Sequence, residues 1–193
     1  TSGVLVFALS GAAAGALHRQ FKEGRVKKRY LALVRGVPPE AGLIDHAVPD
    51  RWGNRKQEAR TAFCRHVTDG RYSLLEVAPI TGRRHQIRRH FKHVFCPLIG
   101  DVNYGDGREN RRFRSRHGLH RLVLHAFALS FDDPWRSDAP RVQIRSPLTE
   151  ELARGLASWR ADALAWLPLG AGPWAHLSPG ATKDLVDAGR STI

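Results

Sequence analysis

The chain has 193 residues, 42% of them hydrophobic, with 18 glycines and 11 prolines dispersed along it. That length and composition allow a buried core, which excludes a low-complexity tail. Its 31 Lys and Arg outnumber its 18 Asp and Glu and give a formal charge of +13. An enzyme that acts on a neutral metabolite has no need of such a charge, so we expect a polyanionic partner. Residues 83–121 contain eleven basic and three acidic side chains, which predicts one strongly basic face.

Two cysteines are too few for a disulfide framework. Cys64 and Cys96 have neither a C-x-x-C partner nor metal-ligand spacing, so we expect two half-buried thiols. The longest apolar run near the start, residues 3–9, is far shorter than a membrane span. We therefore predict a soluble, cytoplasmic protein.

The first predicted element is a strand over residues 3–9, because an almost wholly apolar run is typical of a strand buried on both faces. Ser10 can cap a helix that runs to about Glu23. Residues 28–36 alternate apolar and polar side chains, which predicts a strand with Tyr30, Ala32 and Val34 on one face. Further strands are predicted at residues 43–49, 58–68 and 72–79.

The second half begins with a helix predicted over residues 83–94, because Ile87, Phe91 and Val94 follow at i, i+4 and i+7. Two strands are predicted at residues 98–101 and 122–131, around a loop rich in arginine. Thr149 can cap a last helix over residues 149–166, and no period is visible in residues 167–193. The predicted fold class is α+β, a mixed and mostly antiparallel sheet with flanking helices. We divide the chain into residues 1–148 and a C-terminal helix and tail, residues 149–193.

A helical wheel separates the arginines of residues 83–94. Arg88 lies about 100° from Ile87, at the border of the apolar stripe, whereas Arg89 lies about 200° away. Arg88 can therefore point into a pocket, and His85, Arg89 and Lys92 point towards solvent or phosphate. Periodicity alone leaves a second interpretation open, in which Arg88 only extends along the edge of the core.

Three other features are candidates for binding sites. His85, His90 and His93 have no carboxylate or cysteine nearby to complete a metal shell, so we expect no metal. The predicted loop over residues 108–116, R-E-N-R-R-F-R-S-R, can grip phosphates or can be a solvated charged surface. Phe113 within it is a candidate for stacking on a base. Residues 22–29 form a second basic stretch.

Residues 81–90 read T-G-R-R-H-Q-I-R-R-H and resemble the third motif of the RluA-type RNA pseudouridine synthases. Three more segments resemble this family in order and spacing, T-S-G-V-L-V-F-A at the start, K-R-Y-L-A-L-V-R-G from residue 28 and R-L-V-L-H-A from residue 121. The string P-L-I-G-D-V-N-Y-G-D-G from residue 97 is similar to its tRNA-modifying members. The resemblance implies the family's catalytic fold in residues 1–148. It also implies isomerisation of uridine without a metal or cofactor, with RNA, above all tRNA, as partner. We further expect a monomer.

The resemblance also implies site residues. Tyr30 matches the tyrosine that packs on the base, Arg88 matches the basic partner of the catalytic aspartate, and Leu122 and Ile87 are the pocket-lining candidates. The family's aspartate precedes its T-S-G by two residues, so the printed chain is expected to be inactive alone, and Asp101, Asp132 and Asp133 are expected to be structural. The RNA-binding candidates are Lys27, Lys28, Arg29, Arg83, Arg84, Arg89, Lys92, Arg108, Arg111, Arg112 and Arg114.

Two alternatives remain open at the level of the sequence. The first is a non-catalytic RNA-binding or RNA-folding module that keeps the fold and the basic face without the aspartate. The second is a basic nucleic-acid-binding protein of unrelated fold, which predicts equal affinity for duplex DNA and tRNA.

Overall fold

A computed structural model of the chain describes residues 1–136 and 138–165. Its strands are β1 (Ser2–Gly3), β2 (Lys27–Arg35), β3 (Ala41–Asp45), β4 (Val48–Pro49), β5 (Lys56–Gln57), β6 (Arg60–Thr68), β7 (Tyr72–Pro79), β8 (Leu124–Phe131) and β9 (Val142–Arg145). Its helices are α1 (Gly11–Lys22), α2 (Gln86–His93), α3 (Gly107–His117), α4 (Glu150–Trp159) and a 3-10 helix (Ala161–Leu164). Within the described residues, no helix is long and apolar enough to cross a membrane.

One seven-stranded sheet organises the protein. Its order is β1-β8-β2-β7-β6-β3, and β9 also pairs with β8. Neighbouring strands run antiparallel except β1, which is parallel to β8. Strands β4 and β5 form a separate two-stranded hairpin. The predicted α+β class with a mixed, mostly antiparallel sheet is confirmed.

The alternation of side chains along β2 divides the core between the two faces of the sheet. Ala32 and Val34 lie in one buried cluster with Ile87 and Phe91 of α2. Leu31 and Leu33 lie in another, which includes Phe113 of α3 and Leu152, Leu156 and Trp159 of α4. Helix α2 therefore covers one face, called here the front face, and α3 and α4 cover the other, the rear face.

The predicted strand over residues 3–9 is wrong. Only Ser2 and Gly3 pair with β8, and the exposed fractions of Leu5, Phe7 and Leu9 are 73%, 76% and 97%. The reason is the neighbouring strand, because β9 pairs with β8 from residue 128 to residue 131. The segment that follows Gly3 thus has no place on that edge of the sheet. The helix cap predicted at Ser10 is confirmed, since its hydroxyl accepts a hydrogen bond from the backbone of Ala13.

The arginine-rich segment predicted as a loop is helix α3. The carboxylate of Asp106 accepts hydrogen bonds from the backbone of Arg108 and Glu109, and Gly118 ends the helix with a φ of +67°. Phe113 is fully buried on the rear face. It cannot stack on a base there, so that expectation is also wrong.

Two further segments differ from their predicted elements. Residues 98–101 make a single bridge, between Leu98 and Val34, instead of a strand. The predicted helix over residues 149–166 begins at its expected cap, Thr149, but α4 ends at Trp159 and the 3-10 helix follows. Residues 166–193, which include the predicted C-terminal tail, lie outside the described residues.

Candidate active-site pocket

A cavity of about 430 Å³ lies on the front face, between β2 and the start of α2. This volume is in the range of small-molecule sites. Tyr30, Ile87 and Arg88, which the sequence selected separately, meet in its wall. The lining residues are Thr1, Phe21, Lys28, Tyr30, Pro79, Thr81, Gly82, Arg83, His85, Gln86, Ile87, Arg88 and Leu124.

The aliphatic residue from β8 in this lining is Leu124, not the predicted Leu122. Leu122 is partly buried and packs against the front-face cluster, close to where β8 begins. The two leucines are two positions apart in R-L-V-L-H-A, so the sequence could not say which one reaches the cavity.

The buried side chain of Gln86 organises the loop T-G-R-R-H-Q at the rim. Its Oε1 accepts hydrogen bonds from the Thr81 hydroxyl at 2.6 Å and from the backbone of Arg83 at 3.0 Å. Its Nε2 donates to the Arg60 carbonyl and to the Thr61 hydroxyl oxygen, both at 2.9 Å. These four bonds satisfy a buried amide and attach the loop to β6. This role of Gln86 was not predicted from the sequence. The available signal was a polar residue near the start of a predicted helix.

Arg88 enters the cavity wall already paired with Asp101. Its Nε donates to Oδ2 and its Nη2 donates to Oδ1, each at 2.6 Å. The Asp101 carboxylate also accepts the backbone N–H groups of Asn103 and Tyr104, and the Tyr104 ring lies 4.8 Å from Arg88 Cζ. This arrangement fixes the plane of the guanidinium and leaves Nη1 outside the pair. The prediction that Arg88 turns inward agrees with this geometry.

The protonation states of this pair follow from its contacts. Burial alone would raise the pKa of Asp101, but the hydrogen bonds from Arg88 and from the Tyr104 backbone outweigh it and hold that pKa below its ordinary value. The same hydrogen bonds raise the pKa of Arg88. Both groups are therefore charged near neutral pH. As expected from the sequence, Asp101 is structural: it is buried and does not line the cavity.

Tyr30 and Lys28 form the wall that β2 contributes. Tyr30 is half-buried, and burial raises the pKa of its phenol, so the ring is neutral near pH 7. The Lys28 ammonium donates to the Thr81 carbonyl at 3.0 Å. Burial, followed by the charge of Lys27, lowers the pKa of Lys28. The wall thus offers an aromatic surface beside a partly dehydrated cation.

The cavity has a positive electrostatic environment. Its lining includes the cations Lys28, Arg83 and Arg88 and, among the described residues, no acidic side chain. Thr1 and Arg88 line the same cavity. A carboxylate or another anion placed beside Thr1 would be stabilised by this arginine.

The predicted RNA-binding residues do not all share one face. Arg83, Arg84 and Lys92 are exposed on or near α2, on the front face, and Lys27 is exposed at the start of β2. Arg89 donates to the hydroxyl of Tyr104 at 3.1 Å. The other candidates lie on α3, which packs on the rear face. Arg108, Arg111 and Arg114 are exposed there, and Arg112 is half-buried.

Arg29 differs from its neighbours in β2. Its Nη1 lies 3.2 Å from Oε1 of Glu76, a fully buried carboxylate on β7. Arg29 therefore neutralises a core charge, and its availability to phosphate is reduced.

The remaining expectations concern acidic, thiol and imidazole groups. Asp132 pairs with Arg25 and Arg141, and Asp133 accepts the backbone N–H of Trp135, which agrees with structural roles. The thiols of Cys64 and Cys96 are half-buried and free, as predicted. Within the described part of the chain, no three His, Cys, Asp or Glu side chains form a group that could hold a metal ion.

Comparisons with known proteins agree with this geometry. The family model for RNA pseudouridylate synthase matches residues 1–93. A tRNA pseudouridine synthase C of Vibrio cholerae is 37% identical, over 85% of this chain and 76% of the relative. Those of Vibrio parahaemolyticus and Haemophilus ducreyi are 37% and 41% identical, over 72% and 69% of this chain. The chain spans 65% and 63% of the length of these two relatives.

Two solved human structures share the fold. Human RNA Pseudouridylate Synthase Domain Containing 4 superposes with a TM-score of 0.66 at 24% identity, over 78% of this chain and 69% of that chain. Human RNA Pseudouridylate Synthase Domain Containing 1 superposes with a TM-score of 0.58 at 26% identity, over 96% of this chain and 74% of that chain. Both support the α+β architecture described above.

Proposed function

We propose, since the chain belongs to the RNA pseudouridylate synthase family, that it isomerises uridine to pseudouridine in RNA. The observation that carries this proposal is the meeting of Tyr30 and Arg88 in one positively charged cavity next to Thr1. These are the two residues that the family resemblance selects in β2 and α2. No step of this chemistry needs a metal or a cofactor.

The reaction has to break the bond from N1 of the base to C1′ of the ribose, turn the base, and form a bond from C5 to C1′. The proton lost from C5 is balanced by the proton gained at N1. The Tyr30 ring offers a flat surface on which the base can pack while it turns. Arg88, held by Asp101, keeps one edge of its guanidinium for a second anion. In this family that anion is the carboxylate of an aspartate that two residues separate from the T-S-G matched by Thr1–Gly3, and Arg88 would keep it ionised.

The base must leave its stack before it can enter such a cavity, at a cost of a few kcal/mol. Contacts between basic side chains and RNA phosphates help to offset this cost. Arg83 and Arg84 are exposed just before the start of α2, and Arg83 lines the cavity, so contacts there would hold the flanking nucleotides. Lys92 is a further exposed cation in the last turn of α2.

The names of the relatives favour tRNA as the substrate class. We extend the proposal to a monomeric enzyme that modifies tRNA in the cytoplasm. Under the alternative of a non-catalytic module, the same cavity and basic face would bind tRNA without changing it.

The proposal is tested in cells that lack the gene. A deletion strain is complemented with the full-length gene, with its Arg88→Gln form or with an empty vector, and pseudouridine is mapped in total tRNA. We expect at least one tRNA uridine to become pseudouridine only with the unsubstituted gene. If no site gains pseudouridine although the protein binds tRNA, the non-catalytic module is the correct assignment.

A further inference from the structure

The β4–β5 hairpin, residues 48–57, has a tip whose shape is set by one side chain. Oδ1 of Asp50 accepts hydrogen bonds from the backbone of Trp52 and Asn54, each at 3.0 Å. The backbone N–H of Asp50 donates to the Arg55 carbonyl at 2.8 Å, and Gly53 has a φ of +82°. The tip is therefore ordered before any partner binds, which lowers the entropic cost of binding.

This tip displays an aromatic ring among cations. Trp52 is 76% exposed, and Arg51 Cζ lies 5.9 Å from its ring centroid. Arg51, Arg55 and Lys56 are exposed, and no ion pair within the described residues involves them. An exposed indole beside unpaired cations suits single-stranded nucleic acid, whose bases stack on aromatic rings while its phosphates attract cations.

Two hydrogen bonds attach the hairpin and the residue that follows it, Glu58, to helix α2 and to the loop before that helix. A guanidinium nitrogen of Arg89, on α2, donates to the Pro49 carbonyl on one side of the tip. On the other side, Arg83 Nε donates to the carbonyl of Glu58 at 3.0 Å. Arg83 also lines the cavity. The hairpin thus stands beside the cavity rim, where nucleotides that flank an extruded base would pass.

We propose that the hairpin tip is a second RNA contact, in which Trp52 stacks on an unpaired base near the modified uridine and Arg51, Arg55 and Lys56 contact phosphates. This inference rests on the proposed function for its partner, an RNA with an unpaired segment. It adds a base-reading element that neither the sequence nor the comparisons assigned.

The chain offers a matched control in Trp135. Trp135 is 70% exposed and also ends a turn that an aspartate shapes, since Asp133 accepts its backbone N–H. Its neighbour Arg136, however, pairs with Asp133 at 3.5 Å. The two tryptophans therefore have similar exposure and local shape but differ in the free positive charge around them.

The test compares Trp52→Ala and Trp135→Ala in the full-length protein. Affinities are measured for a tRNA stem-loop and for a fully paired RNA duplex of equal length, in the same salt. We expect Trp52→Ala to weaken stem-loop binding by about five- to 150-fold, the range for one stacked base, and to change duplex binding by less than about twofold. Trp135→Ala should change neither affinity. The Arg55→Ala variant should lower the salt slope of stem-loop binding by about 0.7.

The outcomes separate this inference from the proposed function. Equal stem-loop affinity in Trp52→Ala and the unsubstituted protein would overturn the inference, even if pseudouridine still forms. Equal losses on stem-loop and duplex would overturn it too, because stacking on an unpaired base predicts a difference. If Trp52→Ala instead abolishes self-association in sedimentation, the tip is a protein interface and the inference is wrong. If Trp52-dependent binding is found without pseudouridine, the inference holds and only the proposed reaction fails.

Discussion

Arg88 and Asp101 are joined by two hydrogen bonds of 2.6 Å in which the Asp101 side chain is fully buried and that of Arg88 is 16% exposed. The twelve residues between them contain the end of α2 and Leu98, which bridges to Val34. Folding therefore completes the arginine side of the cavity before any substrate arrives.

Asp101→Asn should destabilise the fold strongly. It removes the charge of one partner of a buried pair, which leaves Arg88 uncompensated at a cost of about 3–5 kcal/mol. Urea unfolding at pH 7 measures this loss. Asp106→Asn is the matched control, because its pair with Arg35 is largely exposed and asparagine caps a helix as well as aspartate does. A control loss as large as that of Asp101→Asn would contradict this assignment.

The same carboxylate predicts a pH dependence. The pKa of Asp101 is lower in the folded protein than its unfolded value of about 3.9. The unfolded chain therefore binds more protons in this window, so this stabilisation is complete above about pH 5 and is lost as the pH falls below 4. The difference in unfolding free energy between the unsubstituted protein and Asp101→Asn should be constant from pH 7 to about 5 and should shrink below. A difference that grows on acidification would have the wrong sign.

Gln86→Leu should loosen the cavity rim. The substitution removes the partner of the Arg83 N–H and of the buried Thr61 hydroxyl oxygen, at about 1–3 kcal/mol for a buried unsatisfied group, whereas the Arg60 carbonyl keeps its bond from the Ile80 backbone. Relative to the unsubstituted protein, hydrogen exchange in Gln86→Leu should become faster in residues 81–86 and should change less in β7. Gln57→Leu, at an exposed position of β5, is the control and should stay within about 0.5 kcal/mol. Unchanged exchange at the rim in Gln86→Leu would refute this role.

Phe113→Ala separates a core role from base stacking. Phe113 is fully buried between Tyr72 and the other rear-face side chains, so truncation should cost about 3–5 kcal/mol of stability. In conditions where the variant is folded, its RNA affinity should match that of the unsubstituted protein. Arg114→Ala, exposed on the same helix, should leave stability within about 0.5 kcal/mol. A selective loss of RNA affinity in Phe113→Ala would restore the stacking role.

Local patterns in the sequence predicted the elements that depend on local chemistry. Ser10 caps α1 as its position indicates, and the alternation along β2 places Ala32 and Val34 on the face that carries the cavity. The wheel drawn on Ile87 also brought Arg88 to the correct side of α2. These results follow from backbone periodicity and capping, which act over a few residues.

The failures involve partners distant in the chain. Residues 3–9 have the composition of a buried strand, but a strand needs a free edge, and β9 occupies that edge of β8. Helix α3 has a single fully apolar side chain, Phe113, so its sequence shows no apolar stripe. The residues that indicate this helix are its caps, Asp106 and Gly118. The pairing of Asp101 with Arg88 depends on the tertiary structure and is not encoded in any local sequence pattern.

Two substitutions separate the role of the Tyr30 ring from that of its hydroxyl. Tyr30→Leu should weaken binding of the substrate RNA by about five- to 150-fold if the base packs on the ring. Tyr30→Phe keeps the ring and should keep that affinity, so any fall in its turnover alone would measure the hydroxyl. The free energy of unfolding of both variants should be close to that of the unsubstituted protein, because Tyr30 is only half-buried. Equal RNA affinity in Tyr30→Leu would remove the ring from the binding surface.

The proposed reaction is tested by measuring pseudouridine formation by the purified full-length protein on tRNA transcripts, using mass spectrometry. We predict that the unsubstituted protein and Arg154→Gln, an exposed arginine on α4 that lies outside the cavity, convert the same uridine. Arg88→Gln also leaves Asp101 without its partner, so it is assayed at a temperature where circular dichroism shows that it is folded. It should bind the transcript but convert at least about 100-fold less, as expected when a preorganised cation of an active site is lost. Conversion by Arg88→Gln at the unsubstituted rate would show that Arg88 has no role in the reaction, and no conversion by any of the three proteins would show that the protein does not catalyse it.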